Sequence, residues 1–315
     1  MALSELERPG ATYAYRICGL DVASAIELPG AIPRAGDVPA GAEVEIRLAR
    51  LPEALDDAAE RGPNWELAGD RLLLRVPRLA RYLVTGGRRI EVELATGATP
   101  RDAAAFVLGA TFGILLHQRG ALVLHGAAVA RSGAAIAICG RSGAGKSTLA
   151  AALCDAGFDF VTDELCAIGL DDAQRPVVEP DGRRLKLWRD TLGHLGPAAI
   201  QGPAVRDGFE KYFVAPPTAL STAPRLAAIY VLRESRPPLA DGIEPLAAPD
   251  ALRMLDFEAY RPSLRAKLGS RPAMLAQGAG LLRHVRVFRL AYPRDFERLR
   301  ATAASLIEHW AGLGE

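Results

Sequence analysis

Nine residues from Gly140 to Thr148 constrain the fold of this chain more than any other segment. They read Gly-Arg-Ser-Gly-Ala-Gly-Lys-Ser-Thr and match the spacing G-x-x-x-x-G-K-[S/T]. An apolar run at Ala134–Cys139 leads into them, and a helical pattern at Leu149–Ala156 follows, with Gly157 as its stop. A strand that enters a glycine-rich turn and continues as a helix is typical of a phosphate-binding loop. The sequence therefore predicts an α/β fold built around this loop.

Each position of the loop has a physical role. Gly140, Gly143 and Gly145 permit backbone turns that direct successive N–H groups at phosphate oxygens. Lys146 brings a full charge to the β- and γ-phosphates, and the Ser147 hydroxyl is placed to ligate Mg²⁺. ATP and Mg²⁺ are therefore the expected ligands. The predicted nucleotide-binding residues are Gly140, Arg141, Ser142, Gly143, Ala144, Gly145, Lys146, Ser147 and Thr148.

Composition narrows the classes of partner. The chain has 315 residues, of which 38 are basic and 37 acidic, so its net charge of +1 gives no reason to expect nucleic acid or an anionic membrane. The longest apolar stretch, Ala103–Leu116, is too short to span a bilayer. Four scattered cysteines without a C-x-x-C pair indicate reduced thiols. We expect a soluble, cytoplasmic protein.

The chain length allows about two domains. Residues 1–100 contain short β-type runs separated by Gly, Pro and Asp, which predicts a β-rich N-terminal domain. Residues 101–315 open with a helix to about Gln118 and then alternate strands with helices, which predicts the catalytic α/β domain. Within it, Arg184–His194 has helical spacing, Gly196–Gly208 is a loop candidate, and a closing helix is expected from Arg294 to about Trp310.

Two acidic residues follow the helix of the phosphate loop. Asp163 and Glu164 come at the predicted end of the strand Phe158–Val161. Because strand carboxyl ends converge on the ligand crevice of an α/β layer, both carboxylates should face the phosphates. Phosphoryl transfer needs a metal ligand and a group that readies the acceptor, and two acids can divide these tasks. A solvated turn pair is the structural alternative.

Lysine is rare in this chain. It occurs at four positions, and Lys186 and Lys211 both fall in the polar middle of the predicted catalytic domain. One hypothesis is that they contact the substrate or the transferring phosphoryl group. Ordinary solvated surface charge is the other.

The order of these segments resembles a known family. Leu124-His125-Gly126-Ala127-Ala128-Val129, a hairpin, the glycine-rich loop and Phe160-Val-Thr-Asp-Glu164 are similar to the catalytic core of HPr serine kinase/phosphorylase relatives, over about residues 120 to 170. The resemblance implies a P-loop kinase core of the HPr kinase/phosphoenolpyruvate carboxykinase type. It further implies that Asp163 is the general base for an acceptor serine, that His125 lies near the phosphates and this acid, and that Glu164 supports metal.

Two departures bear on the substrate. The Glu-x-Arg-Gly stretch of the bifunctional enzymes is replaced by Asp181-Gly-Arg-Arg, and the N-terminal half is unlike their usual regulatory domain. The layout is more similar to HPr-kinase-like enzymes of lasso peptide gene clusters, which phosphorylate the C-terminal serine of a precursor peptide. The resemblance thus implies a peptide or small-protein partner with an acceptor serine, and its members are often homo-oligomers.

Three other functions remain open at this point. The chain could be a kinase or phosphorylase of an HPr-type phosphocarrier protein, a nucleotide-dependent regulatory ATPase, or a small-molecule kinase. They differ in the acceptor of the phosphoryl group, which the sequence does not identify.

Overall fold

The structure is a computed structural model that describes residues 13–34, 36, 41–194, 200–205, 210–215, 218–237 and 239–313. The chain divides into two units, Met1–Ala121 with Ser263–Gly269, and Leu122–Pro262 with Ser270–Glu315. The helical segment 100–118, which the sequence assigned to the catalytic domain, lies with the first unit. No helix in the described ranges is long and apolar enough to cross a membrane.

The first unit is built on one sheet, in the order β1-β2-β3-β8-β7-β6-β5-β4 among its described residues. Its strands are β1 (Tyr13–Ile17), β2 (Leu20–Ser24), β3 (Val44–Leu48), β4 (Glu60–Arg61), β5 (Trp65–Ala68), β6 (Arg71–Val76), β7 (Ala80–Thr85) and β8 (Arg89–Leu94). The short β-type runs of the sequence, at Tyr13–Cys18, Val44–Leu48, Arg71–Val76, Tyr82–Val84 and Arg89–Leu94, all contribute strands. Their inward side chains, such as Leu72, Val84 and Ile90, are fully buried.

A broken helix completes this unit. It consists of α1 (Pro100–Phe106), one π-helical turn at Val107–Thr111, and α2 (Phe112–Gln118). It begins at a capping box, in which the Thr99 hydroxyl accepts from the Asp102 backbone N–H and the Asp102 carboxylate accepts from that of Thr99. The helix predicted to end near Gln118 is confirmed.

The second unit holds the glycine-rich loop on a mixed sheet. In its described part β9 pairs antiparallel with β10 and β11, and β10, β16 and β18 run parallel to one another. A separate sheet has the order β13-β15-β14. The strands are β9 (Leu122–Arg131), β10 (Ala134–Cys139), β11 (Asp159–Leu170), β12 (Pro176–Glu179), β13 (Leu185–Trp188), β14 (Ile200–Ala204), β15 (Lys211–Ala215), β16 (Arg225–Glu234), β17 (Gly242–Pro245) and β18 (Arg286–Tyr292).

Helices cover both faces of this sheet. They are α3 (Lys146–Asp155), α4 (Arg189–Leu192), α5 (Ala248–Phe257), α7 (Arg271–Leu282) and α8 (Leu299–Ala311). The remaining helix, α6 (Pro262–Leu268), belongs to the first unit except for Pro262. One core cluster packs α3 and α8 against β10 and β18 through residues such as Leu149, Ile138 and Leu306. The opposite cluster packs α5 and α7 through residues such as Leu255 and Leu281.

Three sequence-based expectations need correction. Arg184–His194 was expected to be helical, but Leu185–Trp188 is a strand and only Arg189–Leu192 is helical. Leu185 and Leu187 are both buried, and apolar residues two apart fit a strand as well as a helix. The loop predicted at Gly196–Gly208 contains β14, while the rest of that segment lies largely outside the described residues. The closing helix begins at Leu299, not at Arg294.

Candidate active site

The glycine-rich loop connects the end of β10 to the first turn of α3. Gly143 and Gly145 have φ angles of 77° and 94°, in the left-handed region that glycine adopts without strain. A β-carbon on Gly145 would lie 2.5 Å from the hydroxyl oxygen of Tyr292, so that position also lacks space for a side chain. The same hydroxyl donates to the Ala144 carbonyl oxygen at 2.6 Å and ties the end of β18 to the loop.

The remaining loop residues fall on its rim and its helix. The side chains of Arg141 and Ser142 are exposed, whereas the Thr148 hydroxyl lies 3.4 Å from that of Thr191. The Lys146 ammonium is buried and donates to the carbonyl oxygens of Gly140 (2.7 Å) and Arg141 (3.1 Å). Burial lowers the pKa of Lys146, and the nearby Asp163 carboxylate opposes that effect. A positive charge therefore lies inside the curve of the loop.

Asp163 lies beside the first turn of α3. Its Oδ1 accepts a hydrogen bond from the Ser147 hydroxyl at 2.8 Å, and its Oδ2 lies 3.4 Å from the backbone N–H of Lys186. The carboxylate is almost completely buried. The structure thus brings together the predicted loop serine and the first predicted acid, which are 16 residues apart in the sequence.

The sequence predicted that the strand would end at the acidic pair, but the strand continues beyond it. Strand β11 continues to Leu170, and its register with β9 shifts between Phe160 and Thr162. Glu164 has a φ of 87°, which is strained for a residue other than glycine. Of the two acids, Asp163 contacts the loop through Ser147, whereas Glu164 contacts Lys186.

Glu164 is held by two cations. Its Oε2 lies 2.9 Å from Lys186 Nζ and 3.8 Å from the guanidinium of Arg183. Burial raises the pKa of Glu164, but Lys186 and Arg183 outweigh burial and lower it to about 2. Among the described residues, the Ser147 hydroxyl donates to Asp163 and not to Glu164, the acid predicted to share its metal. The metal role of Glu164 stays a prediction.

A buried ion pair that sequence reasoning missed supports Asp163. Asp181 is fully buried and accepts from the Thr162 hydroxyl (2.9 Å) and the Asp163 N–H (3.0 Å). Arg183, also buried, lies 3.0 Å from Asp181 and donates to the Asp163 carbonyl oxygen at 2.8 Å. The sequence signal that could have indicated this pair is the spacing Asp-x-Arg, at a place where the resemblance leads one to expect Glu-x-Arg.

His125 lies on β9, directly opposite Leu165 of β11. Its ring forms a hydrogen bond with the backbone of Glu164, while Nδ1 is buried and has no hydrogen-bond partner among the described residues. Burial, and then the charge of Lys146, lower the pKa of the ring. Both effects favour the neutral form of the imidazole, which lies close to the acidic pair.

The two candidate lysines lie on neighbouring strands. Lys186 on β13 contacts Glu164, as described above. Lys211 on β15 is opposite Trp188, and its Nζ lies 5.8 Å from the centre of that indole ring. Trp188 is half exposed, so this edge of the small sheet is open to solvent.

The oxygen atoms at the loop fit Mg²⁺ that is held mainly by phosphates. Mg²⁺ is usually bound by one or two protein oxygens together with substrate phosphates and waters. The Ser147 hydroxyl supplies such an oxygen, and the Asp163 carboxylate lies 2.8 Å from it. In the described part of the chain, no group of three or more His, Cys, Asp or Glu residues could hold a metal without phosphates.

Comparisons with known proteins add little to this geometry. No family model matches the chain, and no curated protein matches it. Among solved structures it is similar to the HPr(Ser) kinase/phosphatase from Coxiella burnetii, with 10% identity and a TM-score of 0.32 over 61% of this chain and 99% of that one. A TM-score this low carries no argument about function, so the site itself has to support one.

Proposed function

We propose that this protein is a Mg²⁺- and ATP-dependent kinase that phosphorylates a serine hydroxyl of a peptide or small protein. The main support is the 2.8 Å contact between Ser147 and Asp163, next to the Lys146 ammonium inside the loop. A phosphate-binding loop and a carboxylate that can take an acceptor proton lie at one place, as phosphoryl transfer requires.

Each group then has a defined task. The backbone N–H groups of Gly140–Thr148 and the Lys146 ammonium bind the phosphates, and Ser147 offers its hydroxyl oxygen to the metal. Bound Mg²⁺ would neutralise charge on the phosphate oxygens. The acceptor oxygen bonds to the γ-phosphorus, the bond from that phosphorus to the bridging oxygen breaks, and ADP leaves. Asp163 takes the hydroxyl proton.

The groups around Asp163 position it. Asp181 and Arg183 hold its backbone N–H and carbonyl, while the neighbouring Glu164 holds the Lys186 ammonium. His125, whose pKa is lowered by burial, is proposed to tune the acidic pair or to touch the phosphates. Catalysis of this kind depends on positioning and charge more than on covalent chemistry.

For the acceptor, we propose a peptide, with the C-terminal serine of a lasso precursor as the specific candidate. The sequence layout supports this choice, and the open edge with Lys211 and Trp188 offers a cation and an apolar surface to a peptide. HPr-type proteins and small molecules are the competing acceptors.

The test is incubation of the protein with ATP, Mg²⁺ and synthetic peptides that end in serine, followed by mass spectrometry. Matched peptides that end in alanine are the control. Phosphate on the serine-ended peptides supports the proposal. Phosphate on an HPr protein instead, or steady phosphate release without a phosphorylated product, favours the phosphocarrier kinase or the regulatory ATPase. If calorimetry shows no heat of ATP binding, the peptide kinase, the phosphocarrier kinase and the regulatory ATPase are all rejected.

A further inference from the structure

Three parallel strands end beside the glycine-rich loop. Cys139 of β10 is in register with Val231 of β16, which is in register with Arg289 of β18. The carboxyl ends of parallel strands line the ligand crevice of α/β sheets. Two arginines lie at this edge. Arg233 is the second-last residue of β16, and Arg294 lies just beyond β18.

The charge of Arg233 is already compensated inside the protein. Both of its terminal nitrogens lie 3.1 Å from one carboxylate oxygen of Glu258, which is 4% exposed. The same guanidinium donates to the Leu232 carbonyl oxygen at 2.8 Å. Because removal of this arginine would leave a buried carboxylate without a partner, Arg233 has a structural role.

Arg294 is different. Its side chain is exposed, and it makes no ion pair or hydrogen bond with any residue in the described ranges. One terminal nitrogen, Nη2, lies 3.7 Å from the point that a β-carbon on Gly143 would occupy. The guanidinium therefore rests against the glycine at the tip of the loop.

The chain between Arg294 and the sheet is anchored. Tyr292, two residues earlier, donates its hydroxyl to the Ala144 carbonyl oxygen at 2.6 Å, and most of its side chain is buried. Only Pro293 separates this anchor from Arg294, and proline restricts the backbone. The backbone of Arg294 is thus held next to the loop by the fold.

We propose that Arg294 is a nucleotide-binding residue that contacts the phosphate chain at the rim of the loop. This inference rests on the proposed function, since it needs a nucleotide on Gly140–Thr148. Lys146 is buried inside the curve of the loop, whereas Arg294 supplies an exposed charge at its rim. The planar guanidinium donates two parallel hydrogen bonds to phosphate oxygens, which a lysine cannot do.

The test is calorimetry of ATP and ADP binding, with Mg²⁺ present, to the full chain. A hydrogen bond to a charged group, discounted for exposure, predicts that Arg294→Gln weakens ATP binding about 5- to 30-fold. Arg294→Lys should fall between the parent and the glutamine variant, because it restores the charge but not the fork. Thermal unfolding should be unchanged, since the side chain has no described partner.

The matched control is Arg298→Gln. Arg298 is an exposed arginine four residues further on, and its partner is Asp241 at 3.4 Å. The Arg298→Gln variant should bind ATP with the same affinity as the parent protein. Parental affinity in Arg294→Gln, together with a loss of binding in Lys146→Ala, would refute the role of Arg294 and leave the proposed function intact. A parent protein that does not bind ATP would refute the proposed function itself.

Discussion

The buried carboxylate of Asp181 accepts a hydrogen bond from the backbone N–H of Asp163 at 3.0 Å. Asp181 is held in turn by the guanidinium and the N–H of Arg183. The candidate base therefore has a fixed backbone, even though it lies in a strand whose register shifts just before it. This support is the reason to expect that its side chain keeps one orientation toward Ser147.

Replacement of Asp181 by Asn should destabilise the second unit. Breaking one side of a buried ion pair costs about 3–5 kcal/mol, because Arg183 in the interior then keeps only the more distant carboxylate of Glu164, at 3.8 Å. Urea unfolding measures the change. The control is Asp172→Asn, an exposed aspartate in the turn between β11 and β12, which should unfold like the parent. Equal unfolding midpoints for both variants would show that the Asp181–Arg183 pair contributes little.

The requirement for glycine at position 145 can be separated into strain and lack of space. Gly145→Ala meets a left-handed φ and a contact of 2.5 Å with the Tyr292 hydroxyl, and should destabilise the protein by about 2–5 kcal/mol. Gly157 has a nearly equal φ of 90° with open space around it, so Gly157→Ala should cost only about 1–2 kcal/mol. Thermal or urea unfolding compares the two.

A second variant tests the contact directly. Gly145→Ala combined with Tyr292→Phe removes the oxygen that the new β-carbon would meet, but also the hydrogen bond to Ala144. The double variant should recover part of the lost stability. If the double variant loses more unfolding free energy than the two single variants lose together, the hydroxyl anchor matters more than the lack of space.

Sequence reasoning located the local parts of the site and missed the distant ones. The loop is contiguous, so its residue types are enough to predict its backbone conformation and the class of ligand. Asp163 could also be placed, because the first strand after the loop helix returns to the sheet. The left-handed φ of Glu164 could not be predicted, since glutamate rarely adopts such an angle and tertiary contacts impose it here.

Two further features depend on the folded chain alone. The polar stretch that contains Asp181 and Arg183 had the composition of a surface turn, yet both residues are buried because each supplies the charge that the other needs. Arg294 stands 151 positions after Gly143 in the sequence numbering, and only the parallel register of β10, β16 and β18 brings them together. No periodicity in the sequence distinguishes Arg294 from the other arginines near it.

His125 should titrate below the usual histidine range. Burial lowers its pKa first and the Lys146 charge lowers it further, so Lys146→Ala should raise the pKa of His125. Because the folded pKa lies below the unfolded value of about 6.5, the folded protein binds fewer protons. Stability from this group is therefore present above pH 6.5 and is lost as the pH falls below it.

NMR titration of the ring measures this pKa in the parent and in the variant. The control is Lys267→Ala, because Lys267 pairs with Glu60 in the first unit and is not among the groups that shift His125. It should leave the titration midpoint of His125 where it is in the parent. An unchanged midpoint in Lys146→Ala would mean that the charge of the loop lysine does not reach the ring.

Replacement of Asp163 and replacement of Lys146 should impair different steps of the reaction. Asp163→Asn keeps an oxygen for the Ser147 hydroxyl but cannot take a proton, so phosphoryl transfer should fall by about 10²–10⁴-fold while ATP binding is largely kept. Lys146→Ala removes the charge inside the loop and should weaken both binding and transfer. Calorimetry gives the affinity, and single-turnover assays with labelled ATP give the transfer rate. A parental rate in Asp163→Asn would reject its role as the base. A loss of ATP binding as large as in Lys146→Ala would instead assign Asp163, with Ser147, to the metal.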